Sequence, residues 1–147
     1  MYNGWAFVDV DGTLIDCNDN PRPFIKELFM VIKELNLILV VWSGGGREYA
    51  EQQTIKLGQS YWNLVDEFRW KDTPVSWNHI RPVWFVDDSL FIKQEHSTDG
   101  EKVFLVPFYN SITASHDVWL VRAIEDLKKF YNLYQKGGHK KTLSSSG

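Results

Sequence analysis

The chain has 147 residues, 44% hydrophobic and 24% charged, with a net charge of −3 and a pI near 5.8. This length suits one domain with a full core, since a chain of this size buries roughly 70% of its unfolded surface, and the acidic balance excludes a broad basic surface and tight non-specific nucleic-acid binding as the main activity. A single cysteine, Cys17, excludes an intrachain disulfide and fits a reducing compartment. There is no signal-peptide pattern, and the longest apolar run, Leu37 to Trp42, is far too short to cross a membrane, so a soluble cytoplasmic protein is expected. Seven Trp, six Tyr and nine Phe are many for this length. Most are expected in the core, with a few lining a pocket or an interface.

In chain order, Trp5–Val8 is a short buried strand ending in Asp9-Val10-Asp11-Gly12-Thr13. Asp16 to Pro23 is polar and reads as a loop. Phe24, Ile25, Leu28, Phe29, Ile32 and Leu35 recur at helical spacing, with Pro21 or Pro23 suited to the helix start. Leu37 to Trp42 is a continuous β-prone run, as in a strand covered on both faces, and Ser43-Gly44-Gly45-Gly46 breaks it. Arg47 to Leu57 reads as a second helix, ended by Gly58. Tyr61–Val65 is a short turn or helix, Glu67–Trp70 a brief strand, and Pro74–Ile80 a short helical piece. Val83–Val86 is a strand stopped by Asp87-Asp88, and Val103–Val106 a strand stopped by Pro107. Ser115 or Asp117 can cap a final helix whose apolar face is Val118, Val121, Ile124, Leu127, Phe130 and Tyr134, closed by Gly137-Gly138. Residues 1–138 form one expected domain, and 139–147, without apolar periodicity, a loose tail. Alternating strands and helices predict an α/β, Rossmann-like three-layer sandwich with a mainly parallel sheet.

In such a sheet, ligands bind at the carboxyl ends of the strands, and here those ends carry reactive groups. The first ends in Asp9 and Asp11, which share a side of an extended backbone. The second ends in Ser43 and three glycines, the short third in Lys71, the fourth in Asp87-Asp88. Crowded carboxylates repel unless protonated or bridged by a cation, and an oxygen-rich set suits Mg²⁺. One carboxylate can attack an electrophile while another moves protons. Ser43, the glycine amides and the amino end of the Arg47 helix can cradle an anion, and Lys71 adds positive charge. The electrophile matched to these parts is a phosphoryl group.

The set Asp9-Val10-Asp11-Gly12-Thr13, Ser43, Lys71 and Asp87-Asp88, each after an apolar strand or at a strand end, resembles the four motifs of the haloacid dehalogenase (HAD) superfamily, over roughly residues 5 to 90. The resemblance implies a hydrolase: a Mg²⁺-dependent phosphatase cleaving a phosphomonoester through an aspartyl-phosphate. Asp9 would be the nucleophile and a metal ligand. Asp11 would protonate the leaving group, activate water and bind the metal through its main-chain carbonyl. Ser43 and Lys71 would hold phosphoryl oxygens, with the amides of Val10 and Gly44 assisting. Asp87 would be the third metal ligand, with Asp88 and Thr13 supporting these groups from behind. Alternation along a strand lets only one of Asp87 and Asp88 face the ion easily; the choice of Asp87 comes from the family. Family members that keep the second aspartate favour phosphate chemistry over dehalogenation.

Neither the stretch from Thr13 to Ser43 nor that from Ser43 to Lys71 has room for the family's usual cap, so a capless member with an open site is expected. Its substrate would be a phosphorylated small molecule such as a nucleotide, in preference to a polymer. A polynucleotide end or a phosphoprotein is the alternative, as is a non-catalytic phosphate-binding regulatory role, and a second copy of the chain could cover the open rim. Lys56 is the rival to Lys71, but it falls within a helix. Arg22, Arg47, Trp70, Trp77 and His79 are candidates for leaving-group contact, each with an equal reading as a surface or packing residue. His96, His116 and His139 show no metal-ligand spacing and are expected in solvent, and Cys17 reads as an ordinary thiol.

Overall fold

The computed structural model describes residues 1–72, 80–96 and 98–137. Its elements are β1 (Trp5–Asp9), α1 (Ile25–Glu34), β2 (Ile38–Ser43), α2 (Arg47–Leu57), α3 (Gln59–Trp62), β3 (Glu67–Trp70), β4 (Val83–Asp87), α4 (Leu90–Glu95), β5 (Glu101–Leu105), a 3₁₀ turn (Ser111–His116) and α5 (Trp119–Gln135). The expected helical piece at Pro74–Ile80, apart from Ile80 itself, lies outside the described residues. So do Trp77, His79, His139 and the expected tail.

The five strands form one sheet in the order β3-β2-β1-β4-β5, and every pairing is parallel. The expected α/β class and Rossmann-like layering are what the chain adopts. Strand alternation divides the apolar residues between two cores. Ala6, Val8, Leu39, Val41, Trp84 and Val86 share one core with α1, α2 and α5, through residues such as Leu28, Phe29, Ala50 and Leu120. Trp5, Phe7, Val40, Trp42, Phe85 and Val103 face the other way and pack with Ile92 of α4. Rings dominate this second face: Phe7 lies 4.7 Å from Trp42 and 5.2 Å from Phe85, centroid to centroid.

Helix α1 buries Ile25, Leu28, Phe29 and Ile32, as its spacing predicts. Its entry differs from expectation: neither proline opens the helix. Phe24 is the N-cap at φ 75°, with no side-chain cap, in a region costly for a bulky residue. Helix α2 spans the expected residues, and Gly58 ends it at φ 135°. The short helix of the Tyr61 region begins earlier, at Gln59. The final helix buries Leu120, Ala123, Ile124 and Leu127, a face rotated from the expected one; Val118 is exposed. Asp117 accepts the Trp119 N–H at 3.1 Å, which makes it, and not Ser115, the polar group at that helix start. Helix α4 and the 3₁₀ turn lacked a legible pattern: each is six residues long, too short for periodicity to emerge.

Between β1 and β2 the chain holds only α1, and between β2 and β3 only α2 and α3. No inserted unit covers the carboxyl rim from these stretches. No helix among the described residues is long and apolar enough to cross a membrane.

Candidate active site at the strand carboxyl ends

The strand order reverses direction between β1 and β4: β1 leads outward to β2 and β3, and β4 to β5. In open α/β sheets this switch point opens the crevice that binds ligands. Val8 pairs with Val86, so the next residues, Asp9 and Asp87, close neighbouring strands at one level. Alternation places both on the side of Phe7 and Phe85. Both are buried, at 4% and 0% exposure.

Lys71 follows β3 and joins the two carboxylates. Its Nζ lies 2.7 Å from Asp9 Oδ1 and 2.8 Å from Asp87 Oδ2. Its main-chain N–H donates to Ser43 O at 3.0 Å, which fixes the residue to the end of β2. Lys56 instead pairs with Asp19 at the surface, at 3.3 Å. Thr13 Oγ1 donates to the second oxygen of Asp9 at 2.8 Å, and the Ser89 N–H donates to Asp87 Oδ1 at 2.9 Å. Each carboxylate is thus held at both oxygens.

Asp88 corrects the alternation argument. The strand ends at Asp87, so the chain is free to turn, and Asp9, Asp87 and Asp88 each bring one oxygen within 4.8 Å of the others. Asp88 is also in hydrogen-bonding reach of Asp9. Both neighbouring aspartates therefore face the cluster. Burial pushes Asp9 well above the usual carboxylate range, and Asp87 adds to this while Lys71 opposes it. Burial likewise raises Asp87 against the pull of Lys71. Burial alone would lower Lys71, but Asp9 and Asp87 hold it above its ordinary value. The site is a trio of carboxyl groups gathered beside one ammonium. Its donors are all hard oxygens, a set that could hold a metal ion.

Ser43 ends β2 and is buried. Its Oγ accepts the Gly45 N–H at 2.9 Å, and its carbonyl accepts the Gly46 N–H at 3.3 Å. The glycine loop is thus a formed turn leading into α2. Gly44 is exposed at its outer edge, with open space where a Cβ would stand. Trp70 Nε1 donates to its carbonyl at 3.3 Å.

Asp11 stands apart from the cluster. It is exposed, and its Oδ1 accepts a 2.6 Å hydrogen bond from Tyr49 on α2. Burial and this bond push the Tyr49 phenol up, so it acts as a donor. By sequence Tyr49 belongs only to the weak apolar face of this helix, and it does pack partly against the core; only the fold brings its hydroxyl to Asp11. Gly12 follows at φ 81°, and a Cβ there would come within 2.4 Å of Phe108 and 2.5 Å of Asp88 Oδ2. Glycine is needed at this turn for both its dihedral and its size.

Arg22 does not face a leaving group. It is buried and pairs with Asp117 at 3.0 Å. It also donates to the carbonyls of Gly12 at 3.3 Å, Thr13 at 3.1 Å and Pro107 at 2.6 Å. Its work is to brace the turn after Asp11 against the segment after β5. His96 is not in open solvent either: it stacks on Phe85 at 4.5 Å and reaches Glu101 at 3.4 Å. His116 is exposed, as expected. Cys17 is exposed as well. Beside Lys71, a cavity of about 440 Å³ is lined by Gly44, Asp72, Ser89 and Phe91, among others. A second, of about 690 Å³, runs along the β3 edge past Arg47 and Trp70 and includes none of the clustered aspartates. No protein-family model matches this chain, and no curated protein or solved structure matches it.

Proposed function

We propose that this protein is a Mg²⁺-dependent phosphomonoester hydrolase of the HAD type, without a cap, that works through an aspartyl-phosphate. The observation that carries this reading is the convergence, at the switch point of a parallel sheet, of Asp9, Asp87, Asp88 and Lys71 beside the Ser43 turn.

Asp9 is the nucleophile. Its carboxylate oxygen forms a bond to phosphorus as the bond to the leaving oxygen breaks, and that oxygen takes a proton from Asp11. Water then attacks phosphorus, giving its proton to Asp11. The bond between phosphorus and Asp9 breaks, the carboxylate is regenerated and inorganic phosphate departs. Thr13 holds one Asp9 oxygen and so orients the other. Ser43 and the exposed Gly44 edge hold phosphoryl oxygens, and Lys71 balances charge as it builds between nucleophile and phosphoryl group. Asp9 and Asp87, with Asp88 and the Asp11 carbonyl, would hold Mg²⁺, which supplies electrostatic relief between two anions.

Hydrolysis of an aryl phosphate, measured with Mg²⁺ and with chelator, tests the reading against Asp9→Asn. Activity is expected only with metal and only in the wild type. Metal-independent turnover, or full activity in Asp9→Asn, would sink it. The exposed rings of Trp70, Phe91 and Phe108 favour a leaving group with a π face, such as a nucleoside, and keep a polynucleotide end as the second reading. Asp72 and Glu95 beside the Lys71 cavity oppose additional phosphates. Faster turnover of a phosphorylated oligonucleotide than of the mononucleotide would reverse that preference.

A further inference from the structure

We propose that Tyr49 is a positioning residue: it fixes the carboxyl group of Asp11 on the outer side of the bound phosphoryl group, where the leaving oxygen departs. This rests on the phosphohydrolase reading above.

Asp11 lies beyond the end of β1 and is exposed. A short acidic side chain in that setting samples several rotamers, and a group that must hand over a proton needs one. Tyr49 supplies the restraint. Its Oη donates to Asp11 Oδ1 at 2.6 Å. Its ring is itself held, because it packs on the glycine turn: a Cβ on Gly45 would stand 3.0 and 3.2 Å from ring atoms. That turn begins at Ser43, whose Oγ accepts the Gly45 N–H. One continuous, hydrogen-bonded piece of chain, Ser43 through the first turn of α2, therefore carries both the phosphoryl cradle and the anchor of Asp11. The distance between acid and phosphoryl group is set within that piece.

The direction follows from burial. Asp9 is buried beneath the rim and attacks from inside. In an in-line displacement the leaving oxygen then points outward, toward solvent. Asp11 is the exposed carboxyl group held on that outer side. A leaving group that is a poor anion needs its proton there, and one that is a stable anion does not.

The test is Tyr49→Phe, which keeps the ring on Gly45 and deletes only Oη. Single-turnover release of an alkoxide leaving group, from glycerol phosphate, is expected to fall on the order of tenfold, part of the range that a placed general acid supplies. Release of p-nitrophenolate from its phosphate ester should fall less than about threefold, because that anion needs little protonation. KM, the affinity for inorganic phosphate with Mg²⁺ and the unfolding midpoint should stay at wild-type values. Asp11→Asn should no longer respond to Tyr49→Phe. Equal losses on both leaving groups, an unchanged rate on glycerol phosphate, or an undiminished effect in the Asp11→Asn background would each overturn the role of Tyr49 alone. A wild type without Mg²⁺-dependent turnover would overturn the phosphohydrolase reading, and this inference with it.

Discussion

Replacing Lys71 with Met, a side chain of similar length without charge, tests the electrostatic balance of the cluster. Nζ sits 2.7 and 2.8 Å from oxygens of two buried carboxylates. With charge centres about 4 Å apart and an effective dielectric near 20, each attraction is worth about 4 kcal/mol. One Asp9–Asp87 repulsion of similar size opposes the two. Removing the ammonium forfeits about 8 kcal/mol if both carboxylates stay charged, but protonating one of them caps the loss. The net destabilisation of metal-free protein should be about 3–5 kcal/mol, as when one partner of a buried pair is removed. At roughly 3 °C per kcal/mol for a chain near this length, the midpoint should drop on the order of 10 °C near pH 8. The sign with pH is fixed. Asp9 and Asp87 are already raised above their unfolded values, and loss of Lys71 raises them further. A raised group favours folding below its unfolded pKa and loses that contribution as pH rises through the folded one. The deficit should therefore be largest in alkali and shrink as pH falls toward the carboxylate range. Thermal melts with chelator, from about pH 5 to 8, measure it. Added Mg²⁺ should narrow the gap, because it stabilises the folded state by binding it. A Lys71→Met protein as stable as wild type near pH 8, or a deficit that grows in acid, would refute the reasoning.

Three further outcomes are expected. Asp9→Asn should abolish turnover yet raise the metal-free midpoint at neutral pH by a few degrees. It removes a carboxylate whose raised pKa disfavours folding there, and the gain should fade as pH falls; a lower midpoint at neutral pH would count against the cause assigned. Arg22→Met should cost about 3–5 kcal/mol in urea unfolding, because it leaves Asp117 buried and unpaired. Arg22→Lys should recover less than half of this, since one ammonium cannot reproduce a fork with four acceptors. Gly12→Ala should lower stability by about 1–3 kcal/mol for the positive φ and weaken Mg²⁺ binding, read by the metal-induced shift in midpoint, because the new methyl group pushes on Asp88.

The strands and the cluster were legible because their signals are local. Leu37 to Trp42 can hardly be anything but a buried strand, and Asp87-Asp88 is visible as the place where an apolar run stops. Lys71 was legible by position, just past β3. The difficulties came where a residue's partner is distant in sequence. Arg22 read as a candidate for leaving-group contact, or as a surface or packing residue, because its carboxylate, Asp117, is 95 residues away. Tyr49 read as one residue of a weak apolar helix face, and its bond to Asp11 was not legible because that partner belongs to another strand end. Alternation allowed only one of Asp87 and Asp88 to face the cluster, a rule that lapses where the strand itself stops. The last helix was placed correctly but rotated, because Val118 and Val121 looked as apolar as the residues that are buried.

The Arg22 brace also bears on synthesis from the ribosome. The turn after Asp9 is translated well before Pro107 and Asp117, yet its carbonyls are tied to both through Arg22, and the Tyr109 N–H donates to Gly12 O at 2.8 Å. A nascent chain that has released β1, β2 and even β4 still lacks the clamp on the turn after Asp9. Full affinity for metal should arrive only after residue 117 has left the exit tunnel. A turn made early is thus finished late, because its clamp comes from Pro107 and Asp117.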